Sequence, residues 1–249
     1  MMQERWSSIL NIVESRGAVT VLELADLLKI SESTIRRDLT ALDRLGKLQK
    51  VHGGATALGR EFVSDEYDVH TKSQICVEEK NAIARYAATL IQDEDFVFID
   101  AGTSTEMLIN YISSSKAAFV TNGILHAKKL VACGLKTYVI GGVIKPVTEA
   151  VVGADAVTNM KKYNFTKAFL GTNGIHVEFG YTTVDVEEAM MKIEAVNRSR
   201  TSFILADHTK FDKITAVTFA PIEKAQIITD SQVNKKYKDV TYIKEVSLE

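Results

Sequence analysis

Apolar positions along the first fifty residues recur at helical spacing, punctuated by glycine and hydroxyl residues. Trp6, Ile9, Leu10 and Val13 share one side of a 3.6-residue repeat, and Gly17 follows as a stop. The stretch VTVLELADLLKI repeats the pattern through Leu22, Ala25, Leu27 and Leu28. Thr20 opens it with Glu23 three residues on, the spacing at which two side chains cap each other's backbone N–H groups. A third helix is predicted after a Ser31 cap, with Ile35, Leu39, Leu42 and Leu45 recurring on the face of a small core. Its other side carries Ser33, Thr34, Arg36, Arg37, Thr40 and Arg44, and Gly46 ends it. KLQKVHGGA then alternates as a strand pair ending in Gly53 and Gly54.

Periodicity fails over residues 58–74, where polar residues dominate, and this predicts an interdomain connector. EEKNAIARYAATLI restores helical spacing through Ile83, Ala84, Ala87, Leu90 and Ile91. Beyond it, β-like runs at 96–100, 118–123, 137–142, 167–174, 201–207 and 225–230 alternate with helical stretches around 106–112, 125–132, 155–163 and 186–198. Strands separated by helices predict a parallel sheet covered on both faces. The expected division is a small helical unit with a strand pair over 1–57, the connector over 58–74 and a larger α/β domain over 75–249. Its strands end in small or polar residues, among them Asp100, Thr121, Asn122, Gly171, Asn173 and Asp207. Such carboxyl ends converge on the ligand crevice of open α/β sheets.

Composition narrows the function classes. With 46% hydrophobic and 25% charged residues in 249, the chain is neither disordered nor fibrous, and two domains are expected. No apolar run approaches the ~20 residues of a membrane helix, and MMQERWSSIL is no signal peptide, so a cytoplasmic protein without a membrane partner is expected. Cys76 and Cys133 are read as buried thiols, and the five histidines do not fall at metal-ligand spacing, so neither metal nor cofactor is expected. Net charge is only −2, yet between Lys29 and His52 six bases stand against three acids, a local patch of about +3 of the kind phosphates attract. A basic helix whose first turn carries small polar residues, set after a tight turn, is what reading a major groove requires. Asp38, on the same helix, is expected to be structural, because phosphates would repel it unless an arginine paired with it.

DAGTST, Asp100 to Thr105, sits between an apolar strand and a helix. Gly102 allows close backbone approach, and Thr103, Ser104 and Thr105 offer hydroxyl donors, so the segment suits a phosphate; it equally fits an ordinary strand-to-helix turn capped by Ser or Thr. It is neither a Walker A loop nor GxGxxG.

ISESTIRRDLTALDRLGKLQKVHGGA resembles the N-terminal signature of DeoR-family transcriptional regulators. The resemblance implies a winged helix-turn-helix on operator DNA, with Ser33, Thr34, Arg36, Arg37, Lys50 and His52 as contacts. IDAGTST, VTNG, IGGVIKPVTEAVVG, KAFLGTNGI and LADHTKF resemble the family's sensor domain, which is similar to ribose-5-phosphate isomerase and senses phosphorylated sugars. On that basis the effector site is expected to use Asp100, Gly102, Thr103, Ser104, Thr105, Thr121, Asn122, Gly171, Asn173, Lys192, Asp207 and Lys210, with Lys72 and Lys80 as weaker candidates. Aligned with the isomerase, acidic positions fall on Asn173 and His176, the catalytic lysine near Thr182 and the glutamate near Met191. An amide and a thioether cannot abstract a proton, so a sensor without catalytic residues is expected rather than an isomerase-like enzyme. The resemblance to regulators of fructose utilisation implies fructose 1-phosphate as effector and that to lactose-operon repressors tagatose 6-phosphate. A homo-oligomer, dimer or tetramer, would span repeated half-sites.

Overall fold

A computed structural model describes residues 2–16, 18–56, 61–62, 68–113, 115–230 and 233–248. Gly17, together with 58–60 and 63–67 of the expected connector, lies outside the described residues. The chain separates into two units, Met1–Glu61 and Phe62–Glu249.

The first unit runs α1 (Met2–Arg16), β1 (Ala18–Thr20), α2 (Val21–Leu28), α3 (Glu32–Arg44), β2 (Gln49–Val51) and β3 (Gly54–Thr56). At the start of α2 the reciprocal cap forms as expected: Glu23 N–H donates to Thr20 Oγ1 at 3.2 Å, and Thr20 N–H to Glu23 Oε2 at 2.8 Å. Ser31 holds the cap position of α3 with extended backbone, but its hydroxyl bonds the Ser33 and Thr34 hydroxyls instead of a backbone N–H. Ile9, Val13, Leu24, Ile35, Leu39, Leu42 and Leu48 form the core.

Three expected core residues are corrected. Leu22 and Leu27 are 69% and 47% exposed, because α2 turns Val21 and Leu24 inward instead. Leu45 is 57% exposed: it is the C-cap of α3, Gly46 reverses the chain at φ 62°, and Leu48 fills the core in its place. The strand pair is a hairpin with Gly53 in its turn, extended by a β1 that the periodicity of the helices concealed, in the antiparallel order β1-β3-β2. Gly54 is required there, since a Cβ would lie 2.3 Å from the Val19 carbonyl oxygen.

Along the rest of the chain follow β4 (Glu61–Phe62), α4 (Val69–Gln74), α5 (Val77–Ala88), β5 (Phe96–Ile99), α6 (Thr103–Ile109), β6 (Ala118–Thr121), α7 (Ile124–Ala132), β7 (Lys136–Val139), β8 (Val143–Lys145), β9 (Ala150–Val152) and α8 (Ala154–Met160). They continue as β10 (Phe165–Leu170), β11 (Gly174–His176), β12 (Gly180–Thr183), α9 (Val186–Asn197), β13 (Ser199–Leu205), β14 (Lys213–Ile214), β15 (Val217–Ala220), β16 (Gln226–Thr229), α10 (Lys235–Lys238) and β17 (Ile243–Glu245). The main sheet has seven strands in the order β17-β16-β13-β10-β5-β6-β7. All six pairings are parallel. Period-2 alternation sends Val97 and Ile99 to one core with Ile83, Phe119 and Leu205, and Phe98 to the other with Leu170, Ile204 and Met191. Strand order reverses between β5 and β10, so their carboxyl ends open a crevice at the switch point of the sheet.

Three further expectations are corrected. The stretch read as connector contains α4, a helix too short to show periodicity, capped by Asp68. Cys133 is exposed at the end of α7 and Cys76 only partly buried, each placed by a helix terminus despite the preference of thiols for the interior. β17, the β8–β9 hairpin and the three-stranded β11-β12-β15 sheet are additional, their short strands giving little alternation to read.

Candidate functional site

In the first unit the surface of α3 is set from beneath by Asp38. This buried carboxylate accepts from Arg5 Nε at 2.6 Å and Nη2 at 3.1 Å and from Trp6 Nε1 at 2.9 Å. Burial pulls its pKa up, but those hydrogen bonds and the charges of Arg5 and Arg37 hold it below the usual carboxylate range. With Asp38 turned inward, the outer face is left to Ser33, Arg36, Arg37, Thr40, Ala41 and Arg44, which with Lys50 line a shallow concavity. Lys50 ties the hairpin to the helix: its Nζ donates to Thr40 Oγ1 and its backbone N–H to Asp43 Oδ1, both at 2.8 Å. Arg36 is held by Glu32 at 3.0 Å, whereas Arg37 and Arg44 have no ion pair within 4 Å among the described residues. Thr34 is half-buried against Ser31, and His52 is exposed beside Gly53 in the hairpin turn.

In the second unit the crevice is a cavity of about 320 Å³, inside the ~300–1,000 Å³ range of small-molecule sites. Gly102, Thr103, Ser104, Gly171, Asn173, Lys192 and Lys210 line it, as do Lys72 and Lys80. Asp100, Thr105, Thr121, Asn122 and Asp207 do not: they are buried behind the wall and hold it in place. Asp100 pairs with Lys192, whose Nζ also donates to the Gly171 carbonyl at 3.1 Å, while Gly171 N–H donates to Asp100 Oδ2 at 3.1 Å. These bonds join the ends of β5 and β10. Asn122 Oδ1 accepts from Ala101 N–H at 3.1 Å, Thr121 Oγ1 from Gly123 N–H at 3.0 Å and Thr105 Oγ1 from Gly102 N–H at 3.0 Å, so each spends its side chain on a loop.

Lys80 is 3% exposed, and its Nζ donates to the Lys72 carbonyl. Burial holds its pKa down, and Asp207 opposes this. Asp207 Oδ1 accepts from Thr209 N–H at 3.0 Å; its buried Oδ2 has no hydrogen bond, with Lys210 Nζ at 3.8 Å. The result is a cationic wall in which Lys80 and Lys192 are buried, backed by the Asp207 carboxylate behind it, and such a wall favours an anion.

Several lining groups were not among the effector-site residues expected from the sequence, Glu188, Glu106, His126 and Thr148 among them. Glu188 accepts from Thr148 Oγ1 at 2.7 Å and Lys145 Nζ at 3.3 Å, and Glu106 pairs with Lys129 at 2.5 Å. His126 Nε2 donates to the Gly102 carbonyl at 3.0 Å. Burial holds the His126 pKa below the ordinary histidine range, against Glu106, the Gly102 bond and Asp100, which raise it. Thr148 lies within IGGVIKPVTEAVVG, a signal available in the sequence; the other three carried none, since their helices were legible but not the direction they face.

Residues 5–61 match the DeoR-like helix-turn-helix domain and residues 75–231 the DeoR C-terminal sensor domain. The chain belongs to the DeoR family. DeoR-family relatives align end to end: it is 38% identical to the uncharacterized HTH-type transcriptional regulator FruR of Bacillus subtilis (strain 168), over 98% of both chains. It is 32% identical to the lactose phosphotransferase system repressor of Staphylococcus aureus (strain N315), over 98% of both. Among solved structures, ribose 5-phosphate isomerase A from Methanocaldococcus jannaschii is similar at TM-score 0.40 and 11% identity, covering 53% of both chains. This DeoR-family chain thus pairs an N-terminal winged helix-turn-helix with a Rossmann-like α/β sensor domain. Among its described residues, no helix is long and apolar enough to cross a membrane.

Proposed function

We propose that the protein is a cytoplasmic repressor of a sugar-utilisation operon that leaves operator DNA when a phosphorylated sugar occupies the cavity of its α/β domain. The observation that carries this reading is Lys80: a cation 3% exposed, one donor spent on a backbone carbonyl, on the wall of a cavity shared with Lys72, Lys192 and Lys210. Burying such charge without a counter-anion is costly, and a phosphate supplies it. Asp207 Oδ2 and Glu188 are placed to support the wall against which sugar hydroxyls sit. Ser33, Thr34, Arg36, Arg37, Lys50 and His52 form the DNA-contacting surface, with Arg37 as the base reader. The positions aligned with isomerase chemistry support a sensor over an enzyme. Thr182 is buried and accepts from Thr215 N–H at 3.0 Å, Met191 packs in the core, and Asn173 is an amide bonded by Thr183 at 2.9 Å.

The resemblance to regulators of fructose utilisation puts fructose 1-phosphate first and tagatose 6-phosphate second. A single small reader has little contact area, so copies pair in a homo-oligomer to span half-sites; the exposed stripe Val186, Met190 and Ile193 on α9 supports pairing with a second copy. The test is fluorescence anisotropy of labelled DNA from upstream of the protein's own operon, at fixed salt, with both phosphosugars, fructose 6-phosphate and unphosphorylated fructose. One phosphosugar weakens operator binding severalfold, and Lys80→Met removes that response while operator affinity is retained. Equal operator affinity with and without every phosphosugar would remove the effector assignment and leave the DNA reader standing.

A further inference from the structure

We propose that Glu79, His208 and Asp230 form a binding site for a divalent first-row transition metal of the zinc class, separate from the cavity. One ligand atom from each residue lies within 4.8 Å of the others. The fold explains the convergence. β13 and β16 run side by side in parallel, with Leu205 opposite Ile228, so His208 and Asp230 emerge together at the carboxyl edge of the sheet. α5, which packs on both strands, brings Glu79 in its first turn.

His208 Nδ1 lies 2.8 Å from Asp230 Oδ2, and His208 N–H donates to Asp230 Oδ1 at 2.8 Å. The Asp230 side chain is only 4% exposed, yet among the described residues no lysine or arginine nitrogen lies within 4 Å of its carboxylate. The Glu79 carboxylate has no hydrogen bond or ion pair among the described residues. Two carboxylates and an imidazole therefore meet with no lysine or arginine bonded to either acid among the described residues, and like charges at this range favour a cation. One imidazole nitrogen with two carboxylate oxygens is a donor set that zinc accepts in tetrahedral geometry, a water completing the fourth position. Bonds of ~2.0–2.2 Å to such an ion set neighbouring donor atoms ~3.3–3.5 Å apart, so rotation of Glu79 and of the half-exposed His208 closes the site without moving the strands. Mg²⁺, which favours six oxygen ligands, fits this set poorly.

The test is calorimetric titration of the chelator-treated full chain with Zn²⁺, beside His208→Ala, Glu79→Gln and a Cys76→Ser, Cys133→Ser double variant, with circular dichroism to show that each is folded. The wild type and the double cysteine variant bind one Zn²⁺ per chain. His208→Ala weakens binding at least tenfold, Glu79→Gln severalfold, and excess Mg²⁺ leaves the isotherm unchanged. No binding by the wild type, unchanged binding by folded His208→Ala, or loss confined to the cysteine variant would overturn the site.

Discussion

The outer face of α3 and the cavity of the α/β domain are built in opposite ways. Ser33, Arg36, Arg37, Thr40 and Arg44 share one helix, so twelve consecutive residues fix the face. The cavity wall joins residues far apart in the chain: Lys192 and Asp100 stand 92 positions apart, and Gly171 is held to Asp100 across 71. The spacing of a local site is set by helix geometry, whereas a convergent site depends on every strand register between its members. The first should therefore tolerate damage elsewhere, and the second should not.

The largest expected effect tests that contrast. Lys192→Met leaves Asp100 buried without its partner, and breaking such a pair costs about 3–5 kcal/mol. Scanning calorimetry should show the α/β domain melting earlier while the first unit keeps its transition; equal loss in both would mean that the units do not fold separately. In the other direction, Gly54→Ala forces a Cβ to within 2.3 Å of the Val19 carbonyl oxygen, a clash of the class that costs about 1–3 kcal/mol. Operator affinity should fall with reader stability while phosphosugar affinity, read by calorimetry, stays at the wild-type value.

A change confined to the surface comes next. Arg37→Ala should weaken operator binding by about 1–3 kcal/mol if the guanidinium reads a guanine, with circular dichroism and effector binding unchanged. A uniform loss across operator and random DNA, with the salt slope reduced by about one, would make Arg37 a phosphate contact instead.

The smallest effect separates the units by pH. Burial holds the folded-state pKa of His126 down, so below the unfolded value of about 6.5 the unfolded chain binds more protons. Its contribution is full above that value and declines as pH falls toward the folded pKa, at up to about 1.4 kcal/mol per pH unit. Stability of the α/β domain should decline from pH 7 to pH 5, less so in His126→Gln. Asp38 has a lowered folded-state pKa, held there against burial by its Arg5 and Trp6 bonds, so its contribution persists above the ordinary carboxylate value and disappears only as pH falls through the folded one. Denaturant titrations at several pH values would show the first unit flat over the range in which the second weakens; parallel profiles would remove His126 as the cause.

What the sequence by itself determined follows from short-range geometry. The Thr20–Glu23 cap, the α3 stripe and the six long strand runs were legible because each is set by neighbours within a few residues, and their order implied a parallel sheet with a ligand crevice. Leu45 and Leu22 were misplaced because apolar spacing gives a face but not where a helix stops or which side is covered. Only the tertiary structure decided that Asp100, Asn122 and Asp207 stand behind the wall while Lys72 and Lys80 stand in it. It alone brought Arg5 to Asp38 and His208 to Asp230. Those outcomes rest on strand register and on which ends of parallel strands become neighbours, and long-range pairing leaves no periodic trace along the chain.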